Sequence, residues 1–218
     1  MVRDATSRDT IDRMDGSDAW DMDDALAYGR GLLCGKRVRL REARETDFER
    51  LTRWWADPQT SIFQSNYLRP TPAQTVSDTM RGWGANVAAD TGFAIVTNDG
   101  DDERYAEGVE GEVIGQISLF GVTKNRCGTL GVVVGREHWG DGLGTEAVRL
   151  MVGYGFAEMG LHRVDLGVYA YNDRAIRSYA SVGFREEARR KEKAFHGGRW
   201  HDEVLMAILE DEWRAANS

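Results

Sequence analysis

Three alternating glycines lie between a strand-like run and a helix-like run of this sequence. They are Gly140, Gly142 and Gly144. The apolar residues 130–134 precede them, and an apolar helical face begins at Ala147. Glycine lets backbone N–H groups approach an anion closely, and a helix N-terminus adds roughly half a positive charge. This order of strand, turn and helix therefore predicts a phosphate site, and a cofactor that carries a pyrophosphate is the first hypothesis.

The spacing of the loop differs from two familiar nucleotide motifs. A dinucleotide site reads G-x-G-x-x-G, whereas residues 140–145 read G-D-G-L-G-T. A P-loop needs a lysine after its last glycine, and no lysine lies between Arg136 and Lys191. The loop matches neither motif. Taken alone, it is also compatible with an ordinary glycine-rich turn that binds nothing.

A second group of polar residues follows the alternating run 164–168. Asn172 is a good helix N-cap, and Gly183 is a typical helix stop. With 3.6 residues per turn, Asn172, Ala175 and Tyr179 lie along one helical face. This pattern indicates either a capped helix with a packed tyrosine or a helix whose polar face belongs to the same site as the loop.

The two segments in this order resemble the acetyl-CoA-dependent N-acetyltransferases of the GNAT superfamily. The pyrophosphate loop of that superfamily reads Q/R-x-x-G-x-G/A, and N-x-x-A-x-x-x-Y with a following G-F stands after its cofactor-binding helix. Residues 139–147 read W-G-D-G-L-G-T-E-A, so Trp139 occupies the Q/R position. This departure from the general motif resembles the RimJ/RimL-like branch. The resemblance covers roughly residues 36–213.

The resemblance implies an α/β (α+β) fold in which a splayed strand pair holds the cofactor. Its mixed, mostly antiparallel seven-stranded sheet would be flanked by about four helices. The hydrophobic patterns predict helices near 46–56, 72–88, 144–159 and 173–182, and strands near 37–42, 92–97, 112–120, 128–134, 163–169, 185–194 and 200–209. The length of 218 residues and the hydrophobic fraction of 41% suit one sizeable core.

The negative charge is concentrated at the N-terminus. Residues 1–24 contain eight aspartates and three arginines, while the whole chain has a net charge of −8. We expect residues 1–35 to form an acidic extension that is partly disordered, because few apolar groups are available for burial. Trp20 and Leu26 hint at a short helix within it. Residues 36–218 are then the acetyl-CoA-dependent N-acetyltransferase domain.

Several classes of protein are disfavoured by what the sequence contains. Cys34 and Cys127 have no metal-ligand spacing, and the four histidines are scattered, so we expect no metal. A basic stripe for nucleic acid, a signal peptide and a long apolar run are all lacking. We expect a soluble cytoplasmic protein that binds neither nucleic acid nor membrane, and a homodimer is possible.

The resemblance also assigns roles to single residues. Tyr179 is the candidate general acid, because a phenol with a pKa of about 10 is protonated at neutral pH. It can protonate a thiolate whose pKa is about 8.5. The strand ending at Val133 and Val134 is expected to pair with the pantetheine arm and to donate an N–H to the thioester oxygen. The candidate cofactor-binding residues are Val133, Val134, Trp139, Gly140, Asp141, Gly142, Leu143, Gly144, Thr145, Asn172 and Arg177.

The general base is not assigned by the sequence. Some relatives carry a glutamate where this chain has Thr129. Glu112, Asp165, His196 and His201 are open candidates, as is ordered water. The predicted function is transfer of an acetyl group from acetyl-CoA to a primary amine by direct attack in a ternary complex. The acceptor is a small molecule, such as an antibiotic or polyamine, or a protein N-terminus. The alternative is a non-catalytic acetyl-CoA-binding sensor or regulatory module.

Overall fold

The computed structural model describes residues 20–98 and 111–217. Residues 1–19, which form most of the acidic segment of the predicted N-terminal extension, lie outside the described residues.

Seven strands form one sheet in the order β1-β2-β3-β4-β5-β7-β6. They are β1 Val38–Arg41, β2 Thr91–Thr97, β3 Val113–Phe120, β4 Cys127–Val134, β5 Arg163–Tyr169, β6 Arg185–His196 and β7 Arg199–Leu209. Every neighbouring pair is antiparallel except β4 and β5, which run parallel. The predicted mixed, mostly antiparallel sheet of seven strands is therefore confirmed.

The described residues contain seven α-helices, compared with about four in the prediction. They are α1 Met22–Gly31, α2 Phe48–Ala56, α3 Pro58–Ser61, α4 Ala73–Trp83, α5 Leu143–Ala157, α6 Asp173–Val182 and α7 Glu210–Asn217. The four predicted helices correspond to α2, α4, α5 and α6. The additional helices are short, and α3 and α7 have too few residues to show a helical period in the sequence.

Two helix boundaries differ from the prediction for local reasons. Helix α4 ends at Trp83 instead of continuing to residue 88, because Gly84 caps it. Val87, which lies within the predicted range of this helix, is 68% exposed. Beyond the end of α2, Pro58 starts the additional helix α3, and the Asp57 carboxylate accepts a hydrogen bond from the N–H of Gln59. Proline suits the first position of a helix because its missing N–H is not needed there.

Strands β4 and β5 separate along the sheet. They pair only between Cys127 and Thr129 on β4 and between Arg163 and Asp165 on β5. Beyond that point β4 stays paired with β3, and β5 stays paired with β7. A gap consequently opens between the ends of β4 and β5, which is the predicted splayed pair.

Helices cover both faces of the sheet and form two apolar clusters. On one face, α2 and α4 pack against β2 and β3, with Leu51 and Met80 fully buried. On the other face, α5 runs across the sheet with Met151 and Val152 in the core. Helices α6 and α7 complete this second layer. Packing in the two clusters fixes the position of β4 relative to the N-terminus of α5.

Part of the predicted N-terminal extension packs against the domain. Helix α1 is capped by Asp21, whose carboxylate accepts the N–H of Asp24 at 2.8 Å. The Tyr28 hydroxyl of α1 donates a hydrogen bond to Glu158 near the end of α5. After α1, Leu33 packs on the main core and its carbonyl accepts the N–H of Leu40 at 2.8 Å. The short helix suggested by Trp20 and Leu26 is thus present.

Candidate active site

A cleft of about 300 Å³ lies at the gap between β4 and β5. Its walls come from α3 and the turn after it, the end of β4, the glycine loop, the first turns of α5, and α6. The loop and the polar helix face, which the sequence places in two separate segments, therefore border one space.

The glycine loop turns directly into the N-terminus of α5. Gly140 and Gly142 have φ angles of 99° and 78°, a region that favours glycine. Gly142 is the N-cap of α5 and provides no side-chain cap. The first helical hydrogen bond runs from the N–H of Glu146 to the carbonyl of Gly142. The N–H groups of residues 143–145 therefore have no acceptor within the helix, so this turn fits a pyrophosphate.

An arginine from the start of β1 supports this loop. The backbone N–H of Arg37 donates to Glu146 at 2.9 Å, and its side-chain Nε lies 3.3 Å from the second oxygen of the same carboxylate. Its Nη1 donates to the carbonyl of Asp141 at 2.7 Å. Arg37 was not among the predicted site residues, because the basic run 36–41 has the pattern of an ordinary strand.

The end of β4 presents alternate residues to the cleft. Val132 and Val134 line it, whereas Val133 is 2% exposed and is not among the lining residues. The N–H of Gly135 donates to Ile114 on β3. Because antiparallel hydrogen bonding alternates, the backbone of Val133 also pairs with β3.

The backbone groups of Val132 and Val134 face the gap instead. Their carbonyls accept hydrogen bonds from Gln64 Nε2 at 3.0 Å and from Trp139 Nε1 at 2.8 Å, respectively. Of the two predicted strand residues, Val134 is consequently the one whose N–H points toward the cleft. Val133 contributes to the opposite, buried side of the strand.

The predicted polar face of α6 forms another wall of the cleft. Asn172, Ala175 and Tyr179 all line it. The side-chain Oδ1 of Asn172 accepts a hydrogen bond from the N–H of Ala175 at 3.2 Å, which makes Asn172 the N-cap. The hydroxyls of Thr145 on α5 and Ser178 on α6 are 2.7 Å apart. This contact ties the helix face to the first turn below the glycine loop.

The environment of Tyr179 keeps its hydroxyl protonated. Burial raises the pKa of Tyr179 to about 12, although the nearby Arg174 charge acts in the opposite direction. Its ring contacts Phe184 with a centroid distance of 5.9 Å. A neutral phenol in a cleft is a potential proton donor over the whole physiological pH range.

The charged side chains that line the described part of the cleft are arginines of α6. Arg177, a predicted cofactor residue, is joined by Arg174, which the sequence analysis did not identify. The Arg174 guanidinium lies 3.7 Å from the centre of the Trp139 ring. Such stacking orients a cation while leaving its charge available, which suits a cleft for phosphate groups.

The open candidates for a general base contact other groups. Asp165 accepts the Thr129 hydroxyl at 2.9 Å, and Glu112 pairs with Arg50 at 2.8 Å. His196 and His201 belong to an aromatic cluster on β6 and β7 that contacts the turn after α3. None of these four is among the described residues that line the cleft.

Two further polar residues of the lining stand out because part of each has no partner. His138 Nε2 and Thr60 Oγ1 are buried, and neither forms a hydrogen bond in the structure. In the sequence, His138 is one of four scattered histidines and was not predicted to belong to the site. Its position two residues before Gly140 is the feature that could have linked it to the glycine loop.

Comparisons with known proteins agree with the fold. The profile of the acetyltransferase (GNAT) domain family matches residues 37–185. The chain therefore belongs to the GNAT acetyltransferase family. This confirms the predicted superfamily, the class of acetyl-CoA-dependent N-acetyltransferases and acetyl-CoA as the co-substrate of that class.

Individual relatives are similar at lower identity. The probable N-acetyltransferase YjcK of Bacillus subtilis is 35% identical over 114 residues, which cover 50% of this chain and 63% of that protein. The uncharacterized N-acetyltransferase p20 of Bacillus licheniformis is 26% identical over 82% of this chain and 96% of its own length. The structure of spermidine N-acetyltransferase from Vibrio cholerae with CoA and spermine superimposes with a TM-score of 0.69 at 19% identity, covering 82% of this chain and 99% of that one.

These comparisons do not test the RimJ/RimL-like branch, the cytoplasmic location, the homodimer, the absence of nucleic-acid and membrane partners, the domain boundary or the roles of the single site residues. Within residues 20–98 and 111–217, no helix has both the length and the apolar character required to cross a bilayer.

Proposed function

We propose that this chain transfers the acetyl group of acetyl-CoA to a primary amine by direct attack within a ternary complex. The observation that carries the proposal is the convergence of three features on one cleft. These are the uncapped turn before α5, the backbone of Val134 facing the gap, and the protonated phenol of Tyr179. A sensor would need only the first of them.

Binding in this proposal uses backbone groups and arginines. The free N–H groups of residues 143–145 and the side chain of Arg177 hold the phosphates. The N–H of Val134 polarises the thioester carbonyl, and loss of one such donor typically costs about 100- to 1000-fold in rate. Asn172 contacts the pantetheine arm, as the resemblance implies.

Tyr179 completes the transfer by protonating the leaving sulfur. The lone pair of a neutral amine forms the C–N bond, the C–S bond breaks, and its electron pair goes to sulfur. Tyr179 gives its proton to that sulfur and recovers one from the nitrogen, which has become positively charged. Burial raises the pKa of Tyr179 to about 12. Proton donation from this phenol to a thiolate with a pKa of about 8.5 is unfavourable by itself. The transfer of a proton from the nitrogen to Tyr179 must therefore accompany it.

The acceptor is a small amine or a protein N-terminus. The relative from Vibrio cholerae was solved with spermine, a polyamine. In this chain, Arg174 and Arg177 give the described cleft a positive charge. The described lining of the cleft contains no carboxylate that could pair with the additional ammonium groups of a polycation, which favours acceptors that carry a single amine over polyamines.

A free-thiol release assay tests the proposal. Acetyl-CoA is supplied with a panel of amines that contains spermidine, monoamines, amine-bearing antibiotics and peptides with different N-terminal residues. We expect thiol release that depends on at least one monoamine or peptide, with the acetylated product visible by mass spectrometry. CoA binding by calorimetry without transfer to any acceptor would instead support the sensor.

A further inference from the structure

Two unpaired polar atoms lie where the turn of α3 meets the segment before the glycine loop. Thr60 is 2% exposed and its Oγ1 has no hydrogen-bond partner. His138 Nε2 is likewise buried and unpaired. An unsatisfied buried polar atom destabilises the fold, so such atoms usually have a partner in the working state. Both residues line the cleft, which indicates that their partner enters it.

The two residues are carried by segments that contact each other directly. Arg136, two residues before His138, forms a hydrogen bond to the side chain of Gln59, the neighbour of Thr60. One residue after His138, the ring of Trp139 contacts Phe63 with centroids 5.8 Å apart. These contacts hold the α3 turn against residues 136–139 at one wall of the cleft.

Packing also fixes the orientation of the His138 ring. It meets the ring of Trp54 edge-on, with centroids 5.9 Å apart and an interplanar angle of 89°. Trp54 lies so close to Gly135 that a Cβ there would be 2.3 Å from its ring. The Nε1 of Trp54 donates to Glu137 at 3.0 Å. Trp54 therefore holds His138 in one orientation, close to Gly135 at the end of β4.

His138 also has suitable chemistry for proton transfer. Among the described residues that line the cleft, the groups with exchangeable charge are Arg174, Arg177, Tyr179 and His138. Arginine does not lose its proton in proteins, and burial raises the pKa of Tyr179. Histidine is the residue type that ordinarily gains and loses a proton between pH 5 and 8.

We propose that His138 is the proton acceptor for the incoming amine and that Thr60 positions this amine. This inference rests on the proposed function. The tautomer with a proton on Nδ1 leaves a lone pair on Nε2. An ammonium group R–NH₃⁺ gives one proton to Nε2, its N–H bond breaks, and the electron pair remains on nitrogen for attack. Thr60 Oγ1 accepts a hydrogen bond from the resulting R–NH₂, and the imidazolium returns its proton to solvent.

The His138→Gln variant tests the proton transfer with two kinds of amine. One is the best aliphatic monoamine of the panel, which is protonated at neutral pH, and the other is an O-alkyl hydroxylamine of similar size, which is already neutral. We expect kcat to fall by roughly 100-fold or more for the aliphatic amine and by less than about 5-fold for the hydroxylamine. His162→Gln, a change of an exposed histidine, is the control and leaves both rates unchanged.

A second measurement covers the case in which His138→Gln disturbs packing against Trp54. In His138→Ala, added imidazole is expected to restore transfer to the aliphatic amine while the affinity for CoA stays constant. An equal loss for both amines in His138→Gln, or the absence of imidazole rescue in a folded His138→Ala protein, overturns the role of His138.

Thr60→Val removes the hydroxyl and keeps the volume of the side chain. We expect the KM for the amine to rise about 3- to 10-fold, the size of one hydrogen bond, with little change in kcat or in the KM for acetyl-CoA. Thr52→Val is a matched control, because Thr52 Oγ1 is also buried and unpaired but Thr52 does not line the cleft. Equal effects of the two changes would contradict the positioning role of Thr60.

Failure of this inference is distinguishable from failure of the proposed function. If the unmodified protein acetylates an amine and His138→Gln does so equally well, only the inference is wrong. If the unmodified protein binds CoA and acetylates no amine of the panel, both are wrong.

Discussion

Tyr179 illustrates how burial decides the chemistry of a single residue. Its hydroxyl lines a cleft, yet desolvation raises its pKa to about 12. The neutral form is favoured because a phenolate would lose its hydration there. The side chain is thus held in the state that can donate a proton, and Arg174 only partly offsets this effect.

Tyr179→Phe is expected to lower kcat by roughly 10²- to 10⁴-fold, the usual range for a lost general acid. The change removes one hydroxyl and almost no volume, so the contact with Phe184 survives. The KM for acetyl-CoA moves little, because the hydroxyl acts mainly in the transition state. Steady-state kinetics with the best acceptor measure both constants. A near-normal kcat would leave Tyr179 with a packing role alone.

The alkaline limb of the pH–rate profile reports on the same hydroxyl. Because the pKa of Tyr179 is raised to about 12, the phenol keeps its proton well above the ordinary tyrosine value of about 10. We expect kcat for a neutral acceptor to remain level through pH ~10 and to decline only beyond it. A decline centred near pH ~9 with retained CoA binding would contradict the donor role.

Gly142→Asp is expected to weaken CoA binding by about 100-fold or more, because a carboxylate near the phosphates is repelled. Gly142→Asn is the matched control, since asparagine has the same size and tolerates the φ angle of 78° without adding charge. Calorimetry compares the two folded variants. Similar affinities for CoA would show that residues 140–145 do not hold the phosphates.

An element far from the glycine loop in sequence holds this loop in place. Arg37 at the start of β1 contacts Glu146 on α5 and the carbonyl of Asp141 in the loop. A Cβ on Gly142 would lie 3.2 Å from Arg37 Nη2, so the guanidinium lies next to the turn. The loop N–H groups consequently depend on β1 for their direction.

Arg37→Met should raise the KM for acetyl-CoA roughly tenfold, the worth of about one charge-assisted hydrogen bond. Its kcat/KM for S-acetylpantetheine, which lacks the pyrophosphate, should change little. Arg37→Lys keeps the charge but not the bidentate contact, so its KM for acetyl-CoA should lie between those of the unmodified protein and Arg37→Met. A general loss of structure would lower kcat/KM for both substrates alike. Equal losses for the two substrates would therefore contradict a role limited to the phosphate loop.

The whole molecule combines a cleft domain with an N-terminal helix that packs on it. The contact of Tyr28 with Glu158 and the burial of Cys34 at 5% exposure place residues 20–35 against the domain. At and just before α1, the side chains of Trp20, Met22 and Leu26 stay exposed, and the Trp20 ring contacts that of Tyr28. We therefore propose a domain boundary before α1, nearer to residue 20 than to residue 36.

Two truncations test this boundary. Deletion of residues 2–19 should leave the affinity for CoA within about three-fold and the Tm unchanged, because the described contacts to the domain begin later. Deletion of residues 2–35 also removes Leu33 and Cys34, and burial of one such apolar side chain contributes about 1.5–3 kcal/mol. We expect the Tm to fall by several degrees. A lower Tm after the shorter deletion would place the boundary inside residues 1–19.

Features of the sequence that act over short distances could be predicted from the sequence. Gly142, Asn172 and Gly183 impose local backbone conformations or caps, so the positions of the turn and of α6 were predictable. The alternating and helical apolar patterns located all seven strands and the helices α2, α4, α5 and α6, because each pattern reflects one buried face of its own element.

Only the tertiary structure decided which side chains meet. The contacts of Arg37 with Glu146, of Arg174 with Trp139, and of the α3 turn with residues 136–139 join distant or differently oriented segments. They depend on the separation of β4 and β5 and on the direction of each helix. A sequence pattern records which face of an element is buried, but not which other element lies against it, so the residues opposite the glycine loop emerged only from the fold.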